Sequence, residues 1–211
     1  MALFKEQKIK YGFFNCKQSK EDPKASINLL RELGVDLVVL KGTTDSGHTP
    51  KYAGYKDLKE KCIEHNKKLF KNHEVIVSNC PHCIEIFKKE YNIKAKHFFE
   101  ILQENAHKIR SINGIKIDYQ HACYLNKIGI SKKNVENFLK KIGFLIEKSF
   151  DECCGSVAED FERNFPSLAN NVCQKNIKTD SLIISLCPFS VSMMKKNGLK
   201  ATELGDLLNE I

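Results

Sequence analysis

The chain repeats itself. Cys16 and Cys123 stand 107 positions apart, Cys80 and Cys187 again 107, and Gly47 and Gly155 108. Around the middle pair, Val75-Ile-Val-Ser-Asn-Cys-Pro-His-Cys83 corresponds to Leu182-Ile-Ile-Ser-Leu-Cys-Pro-Phe-Ser190 almost class for class. Three anchors within one residue of a common offset point to duplication of one module of roughly 105 residues. The copies are expected over residues 1–105 and 106–211.

Each copy alternates strand and helix signals. In the first, strands are expected at Lys8–Phe14, Asp36–Leu40 and Glu74–Ser78. Between them, Asp22-Pro23 opens a helix that Gly34 stops, Lys41–Gly54 reads as a loop and Asp57–Phe70 as a helix. A short helix follows Cys80-Pro-His-Cys83, and Phe98–Gln103 continues helical. In the second copy the strands are Ile115–Tyr119, Phe144–Lys148 and Leu182–Leu186. Ser131 caps a helix with Val135, Phe138, Leu139 and Ile142 on one face, ended by Gly143. Further helices are expected over Ser167–Ile177, from Cys187 onward, and from a Thr202 cap to Glu210. The alternation predicts an α/β protein of two small parallel-sheet modules. In such sheets ligands gather beyond the carboxyl ends of the strands. A single cysteine, a Cys-Cys-Gly position and a Cys-Pro-x-Cys position follow three successive strands, so residues far apart in sequence converge.

Composition narrows the function. With 42% hydrophobic and 28% charged residues, the 211-residue chain has the balance of a globular protein. No apolar run approaches the roughly 18 residues of a membrane helix, and Met1–Glu6 lacks a signal-peptide pattern, so a cytoplasmic protein is expected, reaching a membrane only through a partner. The net charge of +8 comes almost entirely from lysine, with Arg31, Arg110 and Arg163 the only arginines. Base readers lean on bidentate arginine, so no nucleic-acid partner is expected. Lysines such as those of Lys56–Lys71 read as solvated faces.

Nine cysteines without a secretory pattern favour metal or redox chemistry over disulfides. The second copy offers Cys123, Cys153, Cys154 and Cys187 as cofactor ligands. Their long spacings differ from the paired knuckles of structural zinc. Adjacent Cys153 and Cys154 suit a cluster wide enough to take them on different iron atoms, and Gly155 would let backbone pass close by. The first copy offers Cys16, Cys80 and Cys83 as metal ligands. Cys62 and Cys173 fall inside helices and read as core, as do Phe87, Phe98 and Phe99. His107 reads as an ordinary residue, and so does His121, although beside Cys123 it could tune a cluster.

Three stretches carry a resemblance: Tyr119-Gln-His-Ala-Cys123-Tyr-Leu, Phe150-Asp-Glu-Cys153-Cys154-Gly155 and Ser185-Leu-Cys187-Pro-Phe189. With Ser78-Asn-Cys80-Pro-His-Cys83 and His97–Leu102, the chain resembles the cysteine-rich "CCG" domain proteins. These include the B subunit of heterodisulfide reductase and iron–sulfur subunits of glycolate oxidase, anaerobic glycerol-3-phosphate dehydrogenase and lactate-utilisation proteins. The resemblance implies a [4Fe–4S] cluster, non-cubane in the reductase, on the single cysteine, the vicinal pair and the Cys-x-x-Cys. Two departures stand out. Ser190 replaces the last cysteine of the second copy, and Asp45-Ser46 replaces the vicinal pair of the first, with Gly47 kept. Three thiolates then remain in the first copy, with Asp45, His48 or His82 as candidate fourth ligands, for zinc, an altered cluster, or nothing.

The leading expectation is an iron–sulfur redox subunit of a heterodisulfide-reductase-like complex, relaying electrons or reducing a disulfide. No Gly-x-Gly-x-x-Gly fingerprint is present, so electrons would come from a flavin- or iron–sulfur-bearing partner. The competing expectation is a zinc-stabilised or metal-free scaffold of a redox complex.

Overall fold

The computed structural model describes residues 9–156 and 162–211. Lys8, the expected start of the first strand, and the Met1–Glu6 stretch lie outside them. The first half runs β1 (Tyr11–Phe13), α1 (Lys24–Glu32), β2 (Leu37–Val39), α2 (His48–Tyr52), α3 (Lys56–Phe70), β3 (Val75–Ser78) and α4 (Pro81–Ile86). A π-helical turn at Phe87–Tyr91 extends α4, and β4 (Ala95–His97) and α5 (Phe98–Glu104) follow. The second half runs β5 (Lys116–Gln120), α6 (Cys123–Lys127), α7 (Lys132–Lys141), β6 (Leu145–Phe150), α8 (Pro166–Asn176), β7 (Ile183–Ser185), α9 (Pro188–Lys196), β8 (Ala201–Glu203) and α10 (Leu204–Glu210).

The strands form two four-stranded sheets of the same order, β2-β1-β3-β4 and β6-β5-β7-β8. Every pairing is parallel. The protein is therefore α/β with two like-wound sheets. Central β3 is buried at all four residues, Val75-Ile-Val-Ser, the continuous pattern of a strand covered on both faces.

Each sheet has one strand more than the sequence suggested. Ala95-Lys-His and Ala201-Thr-Glu have no apolar run, and edge pairing to β3 and β7 makes them strands. Thr202, expected to cap the last helix, lies in β8, and Glu203 holds the cap position. The expected Lys41–Gly54 loop contains α2, and α6 begins directly at Cys123. Pro23 takes the cap position of α1, while Asp22 Oδ1 accepts from the Lys24 N–H at 3.1 Å. Ser131 caps α7 as expected, its Oγ accepting from Asn134 N.

One hydrophobic core runs through both halves, joining Phe14 and Leu30 to Phe138 and Leu204. A smaller cluster of Ala169, Cys173, Ile183, Met193 and Met194 underlies the second sheet. The last helix of each half reaches the other half. α10 lies against α1 so closely that a Cβ on Gly205 would fall 2.1 Å from Ser26 Oγ. From α5, Phe99 meets Phe138 of α7 edge-to-face at 5.1 Å, and Gln103 Nε2 donates to Asn134 Oδ1.

Candidate functional site

The parallel winding brings three cysteines of the first half together. Cys16 follows β1, Cys80 follows β3 at the cap of α4, and Cys83 lies in the first turn of α4. All three are buried, and their Sγ atoms lie within 4.8 Å of one another. Among the described residues this is the one group of three or more metal-ligating side chains so close. Thiolates tetrahedral about one zinc stand about 3.8 Å apart, from a Zn–S distance near 2.3 Å. The trio therefore has the spacing of ligands to a single ion.

The electrostatics are those of shared protons. Thiol donors on Cys80 and Cys83, then the N–H groups of Gln18 and Ser19, hold the Cys16 thiol well below its usual range despite burial. Burial, then the hydrogen-bonded Cys16, pushes the Cys80 and Cys83 thiols up. A divalent cation bound here would displace thiol protons.

A loop closes over the trio. Asp45 accepts from Gln18 Nε2 at 3.1 Å and from Gly47 N at 2.6 Å. Ser46 hydrogen-bonds Cys83. Buried Asn66 of α3 donates to the Asp45 carbonyl at 2.9 Å and accepts from Thr44 N at 3.0 Å. Tyr91 OH donates to the Ser46 carbonyl at 2.9 Å. Sequence reasoning missed this brace, although Asn66 recurs with Cys62, Ile63 and Phe70 on the buried face of α3. The loop, Cys16, Cys83 and Phe189 enclose a void of about 10 Å³, room for about one water-sized sphere. Gln18 and Phe189 also line an outer cleft of about 320 Å³ that holds Lys20, Arg163 and Lys196. A cavity of about 690 Å³ between Leu33, Arg110 and Leu208 is lined by no cysteine or histidine.

Above the void lies an aromatic group shared by the halves. His48 and His82 stack at 4.8 Å, and Tyr124 meets His82 edge-on at 3.9 Å. Phe189 packs on His82 at 5.1 Å, and Lys127 Nζ sits 3.8 Å over the Tyr124 ring. Burial lowers the pKa of His48 to about 4.

The second-half cysteines lie at the matching strand ends but stay apart. Cys123 is exposed at the start of α6, Cys153 is half-buried, and Cys154 and Cys187 are buried. Cys154 Sγ is 3.2 Å from Ser190 Oγ, and Cys153 Sγ accepts from Gly155 N at 3.4 Å. The four are close enough to repel one another's charges, Cys123 with Cys153, and Cys154 with Cys123, Cys153 and Cys187. Burial pushes the Cys154 thiol up to about 12 and raises Cys187 as well. Gly155 has a reason other than a nearby cluster. At φ +84° it passes α8 so tightly that a Cβ would fall 2.2 Å from the Ala169 carbonyl oxygen. Cys62 and Cys173 are core residues. His121 is tied to Tyr119 OH at 2.7 Å and Asn126 Oδ1 at 3.1 Å.

Residues 12–88 match the family described as "CCG: Cysteine-rich domain", which is the half without a vicinal pair. Three curated proteins are similar over most of this chain. The B subunit of the fumarate reductase (CoM/CoB) of Methanothermobacter marburgensis is 23% identical over 87% of the chain and 40% of its own length. The "EtfAB:quinone oxidoreductase" of Syntrophomonas wolfei is 28% identical over 85% of the chain and 29% of its own length. An uncharacterised iron–sulfur protein of Methanococcus maripaludis is 22% identical over 94% of the chain and 45% of its own length. The chain thus spans less than half of each relative. No helix among the described residues is long and apolar enough to cross a membrane.

Proposed function

We propose that this chain, which carries a CCG cysteine-rich domain over residues 12–88, is an iron–sulfur subunit of a redox complex of the heterodisulfide-reductase type. Its work would be electron relay, or disulfide reduction with electrons from a flavin- or iron–sulfur-bearing partner. The observation that carries the reading is the recurrence of cysteines at the carboxyl ends of the same parallel strands in both halves, with Cys123, Cys153, Cys154 and Cys187 at those ends in the second. The similarity to a reductase B subunit, an oxidoreductase and an iron–sulfur protein supports it.

The two halves, 1–105 and 106–211, take different parts. In the second, Cys123, Cys153, Cys154 and Cys187 would hold a [4Fe–4S] cluster. Such a cluster stores and passes single electrons. The surrounding residues keep water from part of it: Cys154 and Cys187 sit in apolar packing, while Cys123 is exposed and Cys153 half-buried. In the first half, Cys16, Cys80 and Cys83 have the spacing for one ion, and Asp45 and Ser46 supply hard oxygens where soft thiolates would favour iron–sulfur chemistry. We assign that site to zinc.

Anaerobic purification followed by iron, zinc and acid-labile sulfide analysis tests this. A brown protein with iron and sulfide in equal amounts, plus one zinc, is the expected result. The tight trio also favours a second reading, a zinc-stabilised scaffold without redox chemistry of its own. Colourless protein with zinc and no sulfide would establish that reading. Electron paramagnetic resonance with and without added thiol separates disulfide chemistry, which gives a thiol-dependent signal, from relay.

A further inference from the structure

Gln120 and His121 lead from β5 into α6 and Cys123, and both are 1% exposed. We propose that they are positioning residues for the second-half cysteines, a buried hub that ties the three cysteine-bearing strand ends to one another. The proposal deepens the cluster reading of that half and rests on it.

Each tie runs toward a different cysteine. The Gln120 amide oxygen accepts from Ser185 Oγ at 2.9 Å, two residues before Cys187. Its amide nitrogen donates to the His121 carbonyl at 3.0 Å. The His121 backbone N–H donates to the Phe150 carbonyl at 2.7 Å, at the end of β6 and three residues before Cys153. The His121 ring reaches Asn126 Oδ1 on α6, the helix that begins at Cys123. Asn126 accepts there, so Nε2 carries the proton and Nδ1 accepts from the buried Tyr119 OH at 2.7 Å. With both ring nitrogens committed, His121 has none left for a cluster sulfur. It acts through the loops it holds.

The first half supplies the control. One repeat earlier, Tyr119, Gln120 and His121 are Gly12, Phe13 and Phe14, and Ser185 is Ser78. Phe13 and Phe14 are fully buried, and Phe14 meets Phe70 and Phe87 edge-to-face. Ser78 Oγ, with no amide side chain opposite, accepts from Cys80 N at 3.2 Å. The two sheets have the same strand order, so the winding itself calls for no polar side chain here. Apolar packing of the same shape stabilises as well as a buried polar pair, and a polar network specifies geometry only when every member is paired. In the hub every member is paired. The half with phenylalanines closes three cysteines to within 4.8 Å, and the half with the hub does not. Holding that wider setting is the work assigned to the hub.

The test is amide hydrogen exchange of the full chain as purified anaerobically, read by mass spectrometry on two matching segments, Ser185 to Ser190 and Ser78 to Cys83. Q120L should speed exchange in the first segment on the order of tenfold, the factor that an unpaired buried polar group carries, and leave the second unchanged. S185A, a smaller cut in the same tie, should speed the same segment and add nothing when combined with Q120L. An unchanged Ser185 segment, or an equal rise in both, would overturn the hub, since loss of stability alone speeds both halves of one core. Where Q120L folds poorly, S185A decides. H121F should alter the paramagnetic resonance signal while retaining iron, and an unaltered signal would overturn the role of the ring. Wild type without iron or sulfide would instead overturn the cluster reading, and the exchange rates then decide the hub by themselves.

Discussion

Cys154 Sγ lies 3.2 Å from Ser190 Oγ, and one repeat earlier Ser46 hydrogen-bonds Cys83 with the two atom types exchanged. The same pair of positions meets in both halves, and each half has kept one sulfur of the pair. The first half kept it on the helix and the second on the loop. Which ligands each half can offer follows from that exchange.

Restoring sulfur at position 190 should therefore change the second site and leave the first untouched. S190C is expected to raise iron and sulfide per chain in anaerobic protein and to alter its paramagnetic resonance, with zinc constant. Unchanged metal content would place position 190 outside the site.

Removing sulfur should separate the halves in the same way. C153A and C154A are expected to lose most of the iron and keep the zinc, whereas C80A should lose the zinc and keep the iron. Metal analysis of the three proteins checks this, and loss of both metals from every variant would show one shared site.

Glu203 gives a pH signature. It is buried, its Oε2 accepts from Asn79 Nδ2 at 2.8 Å, and its Oε1 has no partner. Burial raises its pKa from 4.5 to about 8, with Asp206 and Glu21 adding to the rise while Asn79 and Lys195 oppose it. The unfolded chain releases this proton near 4.5 and the folded chain keeps it to about 8. Folding is then favoured most below that window, and stability falls as pH rises through it. E203Q should flatten the slope between pH 5 and 8 and raise stability at pH 8 by a few kcal/mol, on the order of 1.4 per pKa unit. Urea unfolding at the two pH values measures it, and identical slopes in both proteins would contradict it.

The two glycines of the repeated loop should respond unequally. Gly47 and Gly155 share a positive φ, 91° and 84°. A Cβ at Gly47 meets nothing nearer than 3.4 Å, so G47A carries backbone strain alone, about 1–2 kcal/mol. At Gly155 the Cβ collides with the Ala169 carbonyl oxygen at 2.2 Å, so G155A should cost about 3 kcal/mol or more as α8 is pushed away. Denaturant midpoints of the two variants give the order.

The duplication, the parallel winding and the strand-end placement of the cysteines were legible because they depend on apolar runs and fixed offsets. Edge strands β4 and β8 were not, since Ala95-Lys-His and Ala201-Thr-Glu become strands only through their neighbours. Spacing brought Cys16, Cys80 and Cys83 to one place in the sequence reading, and the structure adds that they stand at single-ion distance. The Asn66 and Tyr91 brace and the Gln120–Ser185 tie stayed hidden because they join distant elements through side-chain geometry that no periodicity encodes.

The docking of α10 on the other half has a consequence for assembly. α10 covers a face of the first half, whereas α5 packs on α1 of its own half and also touches α7 of the second. A solitary second copy would leave α10 without its seat, and a solitary first copy would leave that seat on α1 bare. Two separate copies could satisfy each other only by meeting, at a rate set by their concentration. Joined in one chain, the same pairing is unimolecular, with an effective concentration fixed by the short connector. Cutting the chain between α5 and β5 should therefore convert a concentration-independent protein into one that dissociates on dilution.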